Sequence, residues 1–160
     1  EPTPTPTPEP TPAPTEYQPA AAPAVPTDAS DAPPTGAPGA GTYLGVLAAV
    51  DARTATFDVY QAYFGATCEA ELGAAACSDG WGIDPGTAVT TPLDLGVATI
   101  TVAHGDAGSY RVSAPELERL LAGQVPAAGA PSGFAFDVEL PFLITVRQGL
   151  VTAAEQAYLP

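Results

Sequence analysis

The side chains that carry most enzyme chemistry are sparse in this sequence. His104 is the only histidine, so a histidine-based metal cluster is impossible. Its place in a glycine-flanked turn favours an exposed structural role over a catalytic base. The sequence contains no Gly-x-Ser-x-Gly elbow, phosphate-binding loop or dinucleotide-binding fingerprint. These features predict a protein that is not an enzyme.

One pair of acids has a spacing that suits hydrolysis. Asp137 and Glu139 fall on one face of a predicted strand, about 7 Å apart by strand rise. Paired carboxylates at such a separation serve glycoside hydrolysis. Solvated alternation at a sheet edge explains the same pattern, and we favour that interpretation.

Further acids occur in glycine-rich loops, where oxygen ligands for calcium are often found. They are Asp79, Asp84, Asp94 and Asp106. No twelve-residue EF-hand pattern accompanies them. We therefore predict no metal site and no cofactor.

Trp81 is the only tryptophan, and it lies between two glycines and close to acidic residues. An exposed indole in this setting stacks on a sugar ring, which makes Trp81 a candidate ligand contact. A buried indole would instead plug the end of a barrel. For the only tryptophan of a domain, packing is the favoured role.

Cys68 and Cys77 allow two exclusive structures. The residues between them favour helix, and on an unbroken helix the two cysteines would lie roughly 13 Å apart along the axis. A disulfide requires Cα atoms nearer than about 7 Å. Either the helix breaks near Gly73 and a Cys68–Cys77 bridge closes it, or it is continuous and the cysteines stay apart. We favour the bridge, because an even cysteine count in an exported chain usually pairs internally.

The C-terminal residues 141–160 have the clearest secondary-structure pattern, that of a β-hairpin. Phe142, Ile144 and Val146 alternate with the residues between them, which is a strand period. Gln148-Gly149 supplies the turn, since glycine tolerates positive φ. An isolated hairpin is unstable in water, so neighbouring strands are required.

Upstream segments supply those strands and one helix. The predicted strands are 43–50, 54–60, 95–103, 110–112 and 134–140, with a further short strand at 89–91 and a loop at 78–86. Residues 59–64 alternatively open a short helix after Asp58. Ser113 and Glu116 form a capping box for a helix that ends at Gly123. We predict an α+β domain: a small, mainly antiparallel, curved sheet or partly open barrel with one capped helix.

Residues 1–41 differ in composition from the predicted domain at 42–160. Thirteen of the twenty prolines lie there, many in a Thr-Pro repeat, which favours an extended polyproline II linker. Threonine beside proline is a common O-glycosylation context, and the candidates are Thr3, Thr5, Thr7, Thr11 and Thr15. Tyr17 and Val25 are the bulky apolar residues of the linker; they are anchors if the chain polymerises and incidental otherwise.

Charge and termini restrict the partners. A formal charge of −14 argues against nucleic acid and anionic membrane surfaces. No apolar run is long enough to span a bilayer. The chain begins at Glu1 and contains no Met, which we interpret as processing after export. Two cysteines and a Pro/Thr tail fit an oxidising extracellular setting.

Several of these pieces together have a familiar arrangement. They are the first strand ending at Val50, the Arg-Thr-x-Thr-Phe-Asp element at 53–58, the capped helix and the hairpin Pro-Phe-Leu-Ile-Thr-Val-Arg-Gln-Gly at 141–149. Residues 42–160 thereby resemble uncharacterised secreted or lipoprotein-like domains of high-GC Gram-positive bacteria. Trp-Gly-Ile-Asp-Pro at 81–85 replaces their usual Tyr/Arg/Asn-rich stretch, and the cysteine pair is another departure. The resemblance implies architecture and location and carries no catalytic assignment.

The combined expectation is a non-enzymatic, secreted protein of the cell surface with a structural role. In its sharper form, the protein is the repeating subunit of an extracellular filament, and its tail or an edge strand docks on the neighbouring copy. The alternative is a cell-wall glycan-binding module with Trp81 at the contact, displayed on a wall-spanning linker.

Overall fold

The computed structural model describes residues 16–159, apart from the side chain of Asp106. The five threonines predicted as glycosylation sites lie outside the described residues. The strands are β1 (Gln18–Ala20), β2 (Gly41–Asp51), β3 (Thr54–Phe64), β4 (Trp81–Asp94), β5 (Thr99–Ala103), β6 (Ser109–Val112), β7 (Phe142–Arg147) and β8 (Leu150–Gln156). The helices are α1 (Gly65–Leu72) and α2 (Ala114–Leu121), with short 3₁₀ helices at Ala74–Cys77 and Gly105–Ala107.

All eight strands form one open sheet in the order β1-β6-β5-β8-β7-β2-β3-β4. Strands β5 and β8 pair in parallel, whereas the other described pairings are antiparallel. The predicted α+β class with a curved, mainly antiparallel sheet is therefore confirmed. Within the described part of the chain, no helix is long and apolar enough to cross a membrane.

The C-terminal hairpin forms where the sequence predicts it. Gln148 and Gly149 adopt φ values of 51° and 77°, the left-handed region that two-residue hairpin turns require. The hairpin lies in the middle of the sheet, because β7 pairs with β2 and β8 pairs with β5. Both strands thus have neighbours on each side, as the instability of an isolated hairpin requires.

Three segments have different strand boundaries from those predicted. The possible helix after Asp58 does not form, because β3 continues to Phe64 beside β4. Residues 81–86, predicted as loop, belong to β4. The strand predicted to begin at residue 95 begins at Thr99, since a turn joins Leu95 to Ala98. In each case the neighbouring strand, which local sequence does not reveal, sets the boundary.

The predicted strand at 134–140 is wrong, because these residues form a loop with a turn. The Asp137 carboxylate accepts a hydrogen bond from the Glu139 N–H at 3.0 Å, which competes with strand pairing. Phe134 and Phe136 nevertheless pack against the core. Their alternation in the sequence therefore places both rings against the core from within a loop.

The main hydrophobic core lies on one face of the sheet and includes Phe57, Phe142 and Leu117 of α2. The rings of Phe57 and Phe142 make an edge-on contact with centroids 5.5 Å apart. A smaller cluster contains Leu44, Leu143 and Phe64, with Trp81 packed against it. Since Leu44 follows Tyr43 of the main core along a strand, this cluster occupies the opposite face.

Helix α2 starts at the predicted capping box, but another residue completes the box. The Ser113 hydroxyl accepts the Glu116 N–H at 3.2 Å, as predicted. The reciprocal position belongs to Glu16, whose carboxylate accepts the Ser113 N–H at 2.5 Å. Glu16 comes from the segment predicted to be linker, so this segment caps the helix from 97 residues away.

We call residues 16–41 the strap, because they run along the sheet from β6 to β3. Strand β1 pairs with β6. Further along, the Ser30 N–H donates to Ala62 O at 2.9 Å and the Phe64 N–H donates to Asp28 O at 2.7 Å. The strap is therefore packed on the sheet, and the division of the chain between residues 41 and 42 stays a prediction.

Candidate functional site

The disulfide brings the Trp81 region against the end of β3. Cys68 and Cys77 are bonded, with Cα atoms 6.0 Å apart. Helix α1 ends at Leu72, and Gly73 takes a φ of 84°, so the helix breaks where the sequence predicts. The Gly65 N–H donates to Gly80 O at 2.8 Å. This loop closure places Trp81 opposite Phe64 at the start of β4.

Trp81 lies in a shallow surface groove of about 390 Å³, which we call the aromatic groove. Its lining includes Trp81, Tyr158, Val25, Asp79 and Leu159. Tyr158 and Val25 are 48% and 40% exposed. Trp81 is half-buried, since part of it packs on the smaller core cluster. The indole thus packs partly on that cluster and partly lines an open groove, and its role as a ligand contact stays a prediction.

A second depression lies beside the turn between β2 and β3, which contains Arg53, and we call it the mouth cleft. It has a volume of about 730 Å³ between residues 34–38, the end of β4 and residues 149–151. Val97 and Leu150 line it and are exposed. Arg53 and Asp94 form an exposed ion pair at 2.9 Å at its rim. The sequence gives no sign of this cleft, because its lining comes from distant segments.

Apart from Asp106, whose side chain lies outside the described part of the structure, the acids considered for catalysis or calcium do not converge. Asp137 and Glu139 are exposed in the 134–140 loop, so the shared strand face predicted for them does not exist. Asp84 and Asp94 each accept the N–H two residues ahead, at 2.9 Å and 2.8 Å. Among the described residues, no group of three or more His, Cys, Asp or Glu side chains is placed to hold a metal ion. His104 is half-buried with its ring 5.5 Å from that of Phe134.

A buried polar cluster around Glu116 is the feature that sequence reasoning missed. Glu116 is 2% exposed, and its carboxylate accepts the Tyr17 O–H at 2.6 Å and the Ala127 N–H at 2.8 Å. Arg119 lies 3.2 Å from its other oxygen. The Tyr17 ring also contacts Phe134, with centroids 5.2 Å apart. Because every partner is internal, we interpret the cluster as the anchor of the strap.

Burial and the Glu116 contact also change the acidity of Tyr17. Burial disfavours the phenolate and raises the pKa of Tyr17 well above its ordinary value of 10.0. The hydrogen bond to Glu116 and the negative charge of that residue act in the same direction. Tyr17 therefore stays a neutral hydrogen-bond donor at physiological pH. The sequence makes Tyr17 a candidate anchor on a neighbouring copy. In the structure, Tyr17 anchors the strap within its own chain.

Both outer edges of the sheet carry prolines. Pro19 lies in β1 opposite Tyr110, and Pro92 lies in β4 opposite Thr56. A proline fits a paired strand where its missing N–H would point away from the partner. Each edge therefore lacks a donor that an added strand would use, which opposes edge-to-edge association.

Comparison with protein-family models, with curated proteins and with solved structures finds no match for this chain, so the resemblance seen in its sequence remains a prediction.

Proposed function

We propose that this chain is a non-enzymatic, secreted module that binds cell-wall glycan through the aromatic groove. The observation that carries the proposal is the shared groove of Trp81 and Tyr158, both partly exposed beside an exposed carboxylate, Asp79. The Thr/Pro segment preceding residue 16 would display the module away from its attachment point. The Cys68–Cys77 bridge is compatible with an oxidising compartment outside the cell.

The chemistry of the groove suits a sugar better than a charged ligand. Aromatic faces offer apolar area to the C–H face of a pyranose ring, while a carboxylate accepts hydrogen bonds from its hydroxyls. The formal charge of −14 repels phosphate-rich or acidic wall polymers. We therefore expect a neutral or N-acetylated glycan.

The test is direct, because Trp81 is the only tryptophan and its fluorescence reports the groove alone. Titration of the full chain with soluble wall-derived oligosaccharides should change its emission. Tyr158→Ala should weaken binding by about tenfold, which corresponds to about 1.4 kcal/mol. Trp81→Ala, measured by co-sedimentation with insoluble wall, should abolish retention.

Leu150→Ala is the matched control, because Leu150 is also exposed and apolar but lies at the mouth cleft. It should bind as the parent chain does. Unchanged binding in both groove variants, with circular dichroism showing an intact fold, would remove the proposal. So would the absence of binding across a panel of wall glycans.

The second candidate is a structural subunit of an extracellular filament. The observation that favours it is β1, a strand of three residues at the edge of the sheet. It belongs to the strap, and residues 21–40 separate it from the next strand along the chain. Addition of a strand to an outer edge is opposed by Pro19 and Pro92, so a filament contact would have to use a different surface. Electron microscopy of the concentrated full chain tests this candidate, and uniformly monomeric particles would contradict it.

A further inference from the structure

We propose that β1 is an exchangeable strand: residues 16–20 of one copy replace the same residues on β6 of a second copy. The proposal rests on the second candidate function and is tested separately from glycan binding. It names the contact that a filament of this protein would use, and the partner is another copy of this chain.

The acceptor surface for residues 16–20 is formed by elements far along the chain. Gln18 and Ala20 lie opposite Arg111 and Ser109 of β6. The buried Tyr17 side chain reaches Glu116, and Glu16 caps α2 through Ser113. All of these contacts join the strap to residues more than 80 positions away, so an identical segment from a second copy would make the same contacts.

The segment that follows β1 has the properties of a hinge. Residues 21–27 make no backbone–backbone hydrogen bond with any part of the described chain. Most of them are exposed. Pro23 and Pro26 restrict this segment to extended conformations. The next fixed point is Asp28, whose carbonyl accepts the Phe64 N–H.

The energetics favour exchange over simple detachment. A copy that loses its own β1 loses the Tyr17 hydrogen bond to Glu116 and the strand pairing with β6, while Arg119 and the Ala127 N–H still contact Glu116. A second copy's residues 16–20 restore both of the lost contacts, which simple detachment does not. The chain's own segment competes at an effective concentration on the order of millimolar, so exchange requires crowded chains or mild destabilisation.

The geometry of the exchange is directional. Each copy donates at its N-terminal end and accepts at β6, so the contact joins two different surfaces. Such a heterologous contact gives an open fibre when its rotation does not close. When the exchange is reciprocal, it closes as a dimer.

Cysteine cross-linking of the full chain tests exchange between copies. Gln18 and Arg111 are Cα partners and both are exposed, so neighbouring strands bring their positions within disulfide range. A Gln18→Cys chain is mixed at high concentration with an Arg111→Cys chain in a glutathione buffer, and non-reducing electrophoresis follows. We expect a mixed disulfide dimer whose yield rises with concentration.

The control mixture replaces Gln18→Cys with Val97→Cys, an exposed position in the turn before β5. It should give several-fold less dimer. The double variant Gln18→Cys/Arg111→Cys should close within one copy when dilute and form dimers or ladders when concentrated. Closure within one copy at every concentration, or no specific cross-link in either arrangement, overturns the proposal. Because glycan binding is read from Trp81 fluorescence, its failure would be seen separately.

Discussion

The two ends of the described chain join the same sheet by different means. The β7–β8 hairpin lies in the middle, where Phe142, Ile144 and Ala154 are fully buried. Strand β1 lies at an edge and pairs over three residues, with Tyr17 as its one buried aromatic anchor. The hairpin cannot leave without unfolding the core. The strap end is held mainly by a few directional contacts around Glu116, which identical residues from another copy can reproduce.

The largest expected effect comes from removing the whole strap. Deletion of residues 1–41 takes away the Tyr17 contact with Glu116 and the strap's hydrogen bonds to β3. Loss of the Tyr17 hydrogen bond costs about 1 kcal/mol, because Arg119 and the Ala127 N–H remain as partners of Glu116. The lost burial of the Tyr17 side chain costs about 1.5–3 kcal/mol, and each lost hydrogen bond between the strap and β3 costs about 1 kcal/mol. Their sum reaches the lower part of the ~5–15 kcal/mol stability of a domain. We expect no cooperative unfolding transition in urea.

Deletion of residues 1–15 is the control for that truncation, because it leaves every described contact of the strap in place. It should unfold at the same urea concentration as the full chain. If residues 42–160 alone unfold cooperatively, the core around the hairpin is sufficient for folding without the strap. That result would contradict the expected importance of the strap.

Phe142→Ala tests the hairpin end. Its side chain is fully buried and packs edge-on against Phe57. Truncation should lower the free energy of unfolding by about 3–5 kcal/mol, through lost burial and the cavity left behind. Leu150→Ala, at an exposed position of the same hairpin, should change it by less than about 0.5 kcal/mol. Similar effects of the two variants would mean that the hairpin is not a core element.

Tyr17→Phe tests the strap end with a smaller change. The substitution keeps the ring against Phe134 and removes the hydroxyl that donates to Glu116. Loss of this one hydrogen bond, to an oxygen that still accepts the Ala127 N–H, should lower the free energy of unfolding by about 1 kcal/mol, as measured by urea unfolding. Tyr158→Phe should be near neutral, because that hydroxyl belongs to an exposed side chain. An equal loss in both variants would argue that the Tyr17 hydroxyl has no special role.

The smallest expected effects concern the pH dependence of the free energy of unfolding, which differs between the two ends. Burial raises the pKa of Glu155, in β8, above its ordinary value of 4.5. The folded chain then holds this proton to higher pH than the unfolded chain does, so stability falls as pH rises from 4.5 through the folded pKa. Glu155→Gln should be more stable than the parent chain at pH 7 and gain nothing below pH 4.5, as measured by urea unfolding across pH.

At the strap end, the corresponding loss occurs in alkali. The raised pKa of Tyr17 keeps its contribution intact below pH 10, and stability is lost as the unfolded chain ionises above that value. Tyr17→Phe should remove this alkaline loss and leave the Glu155 effect unchanged. A single pH profile for both variants would contradict the separation of the two ends.

Part of the fold follows from local sequence. Alternation around Ile144 and the glycine at 149 predict the hairpin, and Ser113 predicts the start of α2. Gly73 predicts the break that lets Cys68 and Cys77 meet. Each of these signals acts over a few residues, through φ preferences, strand periodicity or a cap.

The candidate sites were less predictable. Trp81 is identifiable as a candidate contact, yet Tyr158 and Val25 join it only through the fold. The partners of Glu116 come from the strap and from the loop after α2. Phe134 and Phe136 show the alternation of a strand, although they pack against the main core from a loop.

The sequence by itself determined the hairpin, the helix cap, the disulfide break and the acidic character of the chain, since these depend on near neighbours and on composition. Only the tertiary structure decided that a proline-rich segment belongs to the sheet. Its place beside β6 is secured by one tyrosine that meets a buried glutamate of α2, 99 residues away. No local pattern encodes such a meeting, because its free energy exists only after both surfaces have formed.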